Sequence, residues 1–174
     1  MIFAPDFEGV AYRMHNPKWA YEPASGAGAG AHGGRANRPG VDALYLSTST
    51  ETAINEYRQL SSLLPPGTLV SYEVKVGPLI DFTKGYDAGN WGAMWGDFFC
   101  DWRELWFYKK IEPPSWVLGD MAIAAGAKGI LFTSRLAAAG VNMVLYTGQF
   151  GSADAVRHYD PASLLPKNAD SWKK

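Results

Sequence analysis

Cysteine is nearly missing from this chain. Cys100 stands alone, so no disulfide can form within it and no thiolate cluster can hold a metal. An excess of either charge is missing too: 16 lysines and arginines face 17 aspartates and glutamates, a net charge of −1. No basic run occurs, and no direct nucleic-acid contact is expected. No stretch reaches the roughly 18 apolar residues of a membrane span, so no membrane association is expected. The opening Met-Ile-Phe-Ala-Pro-Asp-Phe-Glu lacks a basic n-region and an apolar h-region, so no signal peptide is read there. A cytoplasmic protein is expected, with delivery into another cell by a signal-free route left open. His15, His32 and His158 do not show metal-ligand spacing, and no metal is expected.

What is present is apolar and aromatic. In 174 residues, 47% are hydrophobic and 19% charged, which predicts one packed domain spanning residues 1–174 rather than disorder. Aromatics reach 14%, with seven tryptophans. Core packing is the default reading for any one of them.

Residues 9–14 read as a first strand. Residues 15–41, rich in glycine and proline, read as a long loop of the kind that is often functional. Residues 42–47 read as a strand, with Leu44 and Leu46 alternating against Tyr45 and Ser47. A helix follows, with Thr48 and Glu51 as a capping box and Ala53, Ile54, Tyr57 and Leu60 as its apolar stripe. Glu56 falls on the shoulder of that stripe, where a half-buried carboxylate can line a cleft. Pro65, Pro66 and Gly67 are read as the end of this helix.

Residues 68–76 alternate as a strand, and residues 77–98 read as another loop. Residues 101–108 and 115–125 read as helices, the second capped by Ser115. Residues 128–133 and 141–147 read as strands. The tail after Phe150 reads as a surface wrap. Strands and helices mix without strict βαβ alternation, so the expected fold class is α+β with twisted, mainly antiparallel sheets and flanking helices.

Gly28, Gly30 and Gly33 match G-x-G-x-x-G, but a dinucleotide-binding fingerprint must follow a strand and open a helix, and this Gly-Ala run reads as a poor helix former with Pro39 after it. A flexible lid is the alternative. The combination at positions 35–56 carries more. An arginine fork suits phosphate oxygens, an aromatic ring suits a flat base, and a carboxylate suits a cationic sugar. Arg35, Tyr45 and Glu56 supply these three, and each also has an ordinary structural reading. Ser134, at the end of an apolar run, either points into a site or caps the next turn; no G-x-S-x-G surrounds it.

In their order along the chain these pieces resemble the RES-domain toxins, named for an arginine, a glutamate and a serine. The matching residues are Tyr12-Arg13, Gly33-Gly34-Arg35-Ala36-Asn37-Arg38-Pro39-Gly40, Ala43-Leu44-Tyr45-Leu46-Ser47, Ala53-Ile54-Asn55-Glu56, Gly129-Ile130-Leu131-Phe132-Thr133-Ser134 and Gly140-Val141-Asn142. The Gly-Ala-rich stretch at 15–32 and the aromatic segment at 86–108 depart from the pattern. The resemblance implies an ADP-ribosyltransferase-like fold and an enzyme that consumes NAD, with no cofactor besides this substrate. It implies Glu56, Ser134 and Tyr45 as catalytic residues, and Arg35, Arg13, Tyr12 and Asn142 as NAD-binding ones. It implies a protein antitoxin or immunity protein as partner; a homodimer is left open. Two alternatives stand beside NAD hydrolysis or phosphorolysis: protein mono-ADP-ribosyl transfer, and a non-catalytic module that binds a nucleotide or peptide.

Overall fold

A computed structural model describes residues 1–170. Strands β1 (Phe3–Ala4) and β2 (Phe7–His15) lead into helix α1 (Ala27–His32), strand β3 (Ala43–Ser47) and helix α2 (Thr50–Arg58). Strands β4 (Thr68–Val76) and β5 (Leu79–Phe82) follow, then helix α3 (Pro114–Ala124), strands β6 (Gly129–Thr133) and β7 (Val141–Tyr146), and β8 (Ala155–His158). All eight strands join one sheet in the order β1-β5-β6-β7-β3-β2-β4-β8. Only β5 and β6 run parallel; the other pairings are antiparallel. The expected α+β architecture with a mainly antiparallel sheet and flanking helices is what forms.

The junction in the middle of the sheet positions everything else. β2 pairs with β4 along nine consecutive positions, from Phe7↔Val76 to His15↔Thr68. On its other side β2 meets β3 at one pair only, Tyr12↔Ser47. The two strands part on either side of that contact. The sheet is thus two parts joined at one bridge, and two cores pack on it, one against the β5-β6-β7-β3 part alone and the other spanning both parts. Ile80, Phe82, Leu118, Ile130, Val144 and Tyr146 pack with Trp91, Trp95 and Phe98 in one. Leu44, Leu46, Val70, Tyr72, Val74, Met143 and Leu145 make the other.

Several local expectations shift. The strand read at 9–14 is β2, which begins at Phe7 after the short β1, and the stretch read as loop includes α1, because alanine is the best helix former and glycine is tolerated in so short a segment. Gly30 lets α1 lie on the chain entering β3: a Cβ there would stand 2.0 Å from Asp42 Oδ1. Helix α2 is capped one residue later than expected, by Ser49, whose Oγ accepts the Thr52 N–H at 3.2 Å. It ends at Gln59, which turns out with φ +55, so Leu60 leaves the stripe and is 92% exposed. Pro113, not Ser115, precedes the first turn of α3, because Pro114 presets the helical φ there; Ser115 is buried inside. The 77–98 stretch supplies β5, which pairs with β1 on one side and β6 on the other. The aromatic segment behind it mostly fills core, with Trp91 and Trp95 at 4.8 and 5.0 Å from Phe82. The helix expected at 101–108 is a π-helical stretch, Glu104–Lys109. The tail adds β8 to the edge of β4.

His15 ends β2 inside the second core, with Nε2 2.6 Å from the Tyr72 hydroxyl, which itself donates to Pro23 O at 2.8 Å. Tyr72 has one proton and spends it on Pro23, so His15 Nε2 is the donor. Burial, reinforced by the Arg13 charge, pushes His15 down from 6.5 to about 3. The unfolded chain therefore takes up this proton first, and His15 stabilises the fold fully above about pH 6.5 and progressively less as pH falls toward 3. The slope from one such group reaches about 1.4 kcal/mol per pH unit. His15→Gln keeps an N–H donor but cannot titrate. Urea unfolding between pH 7 and 4 should show a flatter pH dependence for the variant than for the parent; parallel curves would contradict the assignment.

Candidate active site

Where β2 and β3 part, a cleft of about 1230 Å³ opens, lined from both halves of the sheet, from α2 and from the 99–108 segment. Tyr12, Arg13, Arg35, Tyr45, Glu56 and Asn142 all line it. Of the seven residues singled out from sequence, only Ser134 does not reach the cleft wall; it stands directly behind Glu56.

Glu56 projects from α2, half-buried. Its Oε1 accepts two hydrogen bonds, from Ser134 Oγ at 2.7 Å and from Asn142 Nδ2 at 2.7 Å. Ser134 Oγ also accepts the Leu136 and Ala137 N–H groups at 3.0 and 3.1 Å. The capping and site-facing readings of this serine therefore hold together: one hydroxyl closes the turn after β6 and aims its proton at the carboxylate. Among the described residues nothing donates to Oε2.

The Arg35 loop is built on three anchors. The Tyr45 hydroxyl accepts the Ala36 N–H at 2.9 Å and donates to Asn37 Oδ1 at 2.8 Å. Asn37, itself buried, donates to Ala29 O and Val41 O, each at 2.9 Å. Trp116 Nε1 donates to Gly34 O at 2.6 Å. Gly34 is required because a Cβ would come within 2.5 Å of both Asn37 Oδ1 and the Tyr45 hydroxyl. The hydroxyl of Tyr45 is thus fully used by the protein, and burial raises it well above its ordinary range. What it offers the cleft is its ring.

The cations are held by groups that leave their charge unmatched. Arg35 Nη1 donates to Phe98 O at 3.3 Å and Cys100 O at 3.1 Å, and its guanidinium lies 5.6 Å from the Phe99 ring. Arg135, absent from the sequence reading, flanks the same ring at 5.9 Å and donates to Phe99 O. Arg103, which from sequence reads only as a possible partner for Asp97, Asp101 or Glu104, stacks on Trp102 at 4.5 Å and lines the cleft. No carboxylate forms an ion pair with Arg13, Arg35, Arg103 or Arg135 among the described residues. Burial pulls both Arg13 and Arg35 below the usual guanidinium range; tyrosines oppose it for Arg13, and Cys100, Tyr45 and Glu56 for Arg35. A partly desolvated guanidinium with no counter-charge is costly until an anion arrives. The clue to Arg103 and Arg135 was positional only, since each lies next to a residue already noted as aromatic or hydroxylic. No group of three or more histidine, cysteine, aspartate or glutamate side chains could hold a metal among the described residues.

The sequence model described as the RES domain matches residues 10–167. The solved structure of the M. tuberculosis MbcT-MbcA toxin-antitoxin complex contains a chain similar to this one, with a TM-score of 0.58 and 18% identity. The match covers 89% of this chain and 83% of that chain. That likeness establishes the shared fold. No curated protein matches this chain significantly.

Tyr45→Phe deletes the hydroxyl that holds Ala36 and Asn37 and leaves two buried polar groups unmatched, at a cost of about 1–3 kcal/mol each. Urea unfolding should register a loss of that order in the variant, and a value within error of the parent would show that the hydroxyl does not hold the Arg35 loop.

Proposed function

This chain belongs to the RES domain family, and on that premise we propose that it is a toxin that cleaves the nicotinamide–ribose bond of NAD. The observation that carries the reading is Glu56: a carboxylate with one oxygen tied down and the other free, in a cleft whose arginines have no protein counter-charge. Arg35 and Arg13 would clamp the pyrophosphate, for which a planar fork is better suited than an ammonium. The Tyr45 ring would pack on the nicotinamide ribose, with Tyr12 beside it. Asn142 and Ser134 would act at the reacting sugar through Glu56.

Breaking the bond leaves positive charge on the ribose while nicotinamide departs neutral, so no general acid is required. The work is electrostatic: Glu56 Oε2 faces the developing cation and holds a ribose hydroxyl. Water then attacks the anomeric carbon and loses a proton, giving ADP-ribose, nicotinamide and H⁺. No cofactor beyond NAD is proposed.

The proposed partner is a protein antitoxin or immunity protein. Leu60 and Tyr108 both line the cleft and are 92% and 83% exposed, apolar surface that a covering protein would bury. The proposed setting is the cytoplasm of the producing cell or of a target cell. No helix among the described residues is long and apolar enough to cross a membrane.

Two substitutions test the reading. Glu56→Gln should fold and lose about 10²-fold or more in the rate of NAD cleavage, the usual cost of one preorganised transition-state group; full NAD consumption by this variant would remove Glu56 from its role. Arg35→Lys should weaken NAD binding in a calorimetric titration, and unchanged affinity would contradict the clamp. Radiolabelled NAD separates the acceptors: free ADP-ribose supports hydrolysis, whereas label on a protein band supports transfer.

A further inference from the structure

We infer that Ser47 is a positioning residue for the Glu56 carboxylate, acting through the side-chain amide of Asn142. The consequence for rate rests on the NAD-cleaving reading; the hydrogen-bond arrangement does not.

Ser47 and Asn142 are register partners across β3 and β7, so the sheet ladder puts both side chains on one face. Both are buried, at 4% and 6% exposure. Ser47 Oγ donates to Asn142 Oδ1 at 2.7 Å, and Asn142 Nδ2 donates to Glu56 Oε1 at 2.7 Å. Ser134 completes the set from the turn after β6, with its own N–H on Gly140 O at 2.7 Å.

The direction of these hydrogen bonds has one consistent solution. Ser134 uses its lone pairs on two backbone N–H groups, so its proton goes to Glu56. Oε1 therefore accepts only. Asn142 must then present nitrogen to the carboxylate, since the reversed amide would set oxygen against an anionic oxygen. That leaves Oδ1 facing Ser47, and a buried amide oxygen needs a donor. Ser47 supplies it. The two hydrogen bonds in series, Ser47 to Asn142 and Asn142 to Glu56, polarise in one direction, toward the carboxylate.

The arrangement matters because Glu56 lies on a different kind of support from its partners. It sits in the last turn of α2, three residues before the helix turns out at Gln59, and its side chain is long and rotatable. Asn142 sits on strand β7, and Ser134 sits in a turn that its own hydroxyl closes. Without Ser47 the Asn142 oxygen is unmatched, the amide rotates to find another partner, and Oε1 loses one of its two donors. The pyrophosphate clamp at Arg35 hangs from a separate loop and is untouched. Losing Ser47 should thus slow the chemical step and spare substrate binding. Ser47 is also the residue at which β3 meets β2, through Tyr12, so the same position that opens the cleft aims its carboxylate.

The test uses the full chain in four forms: parent, Ser47→Ala, Ser47→Thr and Ser47→Cys. The side-chain amide resonances of Asn142, assigned by their loss in Asn142→Ala, report its hydrogen bonds in nitrogen–proton spectra. In Ser47→Ala they should move, kcat for NAD should fall about tenfold or more with KM within about twofold, and Ser47→Thr should restore both. Ser47→Cys, similar in size with a far weaker donor, serves if the alanine variant does not fold. Asn142 resonances unmoved in both Ser47→Ala and Ser47→Cys would overturn the inference. So would a loss that lies in KM, or one that Ser47→Thr fails to restore. If the parent itself leaves NAD intact, the NAD-cleaving reading fails and the resonances alone decide for or against Ser47.

Discussion

A single backbone pairing, Tyr12 with Ser47, sets the architecture of this molecule. A continuous ladder between β2 and β3 would have closed the sheet and left no room for a ligand. One bridge, with the core that spans both parts beneath it, keeps them attached while the strands part on either side. The long β2–β4 ladder stiffens one half, and the aromatic cluster around Phe82 stiffens the other. The cleft between two stiff bodies then has walls that packing prevents from collapsing.

The charges follow from that opening. Guanidiniums usually settle against carboxylates. Here Arg35 and Arg135 share the ring of Phe99 and the carbonyls of a short loop, while Arg103 lies on Trp102. Aromatic faces and carbonyl oxygens orient a cation without neutralising it. Against these cations stands Glu56, held by hydroxyl and amide rather than by an arginine. A cationic clamp and a carboxylate held apart from it thus share one cleft. Elsewhere the chain pairs its charges in the ordinary way, as Arg38 does with Glu112 and Asp120.

Legibility from sequence varied with how local each signal was. Strand β4 was readable to the residue because its alternation maps directly onto alternating burial. Strand β5 was not, since a four-residue run beside Gly77 and Pro78 looks like loop until β6 is placed parallel to it. Glu56 was readable as a half-buried helix residue from its angle to the stripe. That Ser134 and Asn142 meet it on one oxygen was not, because they lie 78 and 86 positions away. Arg103 and Arg135 belong to no periodic pattern; only the loop that gathers them at Phe99 gives them a common place.

The sequence alone determined the class of fold, the order of most elements and the residue types able to meet a phosphate, a base and a cationic sugar. Those properties depend on local periodicity and on side-chain chemistry, which travel with each residue. The tertiary structure alone decided which groups converge, which serine backs the carboxylate, and which tyrosine hydroxyl is already spent. Convergence depends on strand pairing across long stretches of chain, and a single bridge rather than a full ladder is a choice that no local pattern encodes.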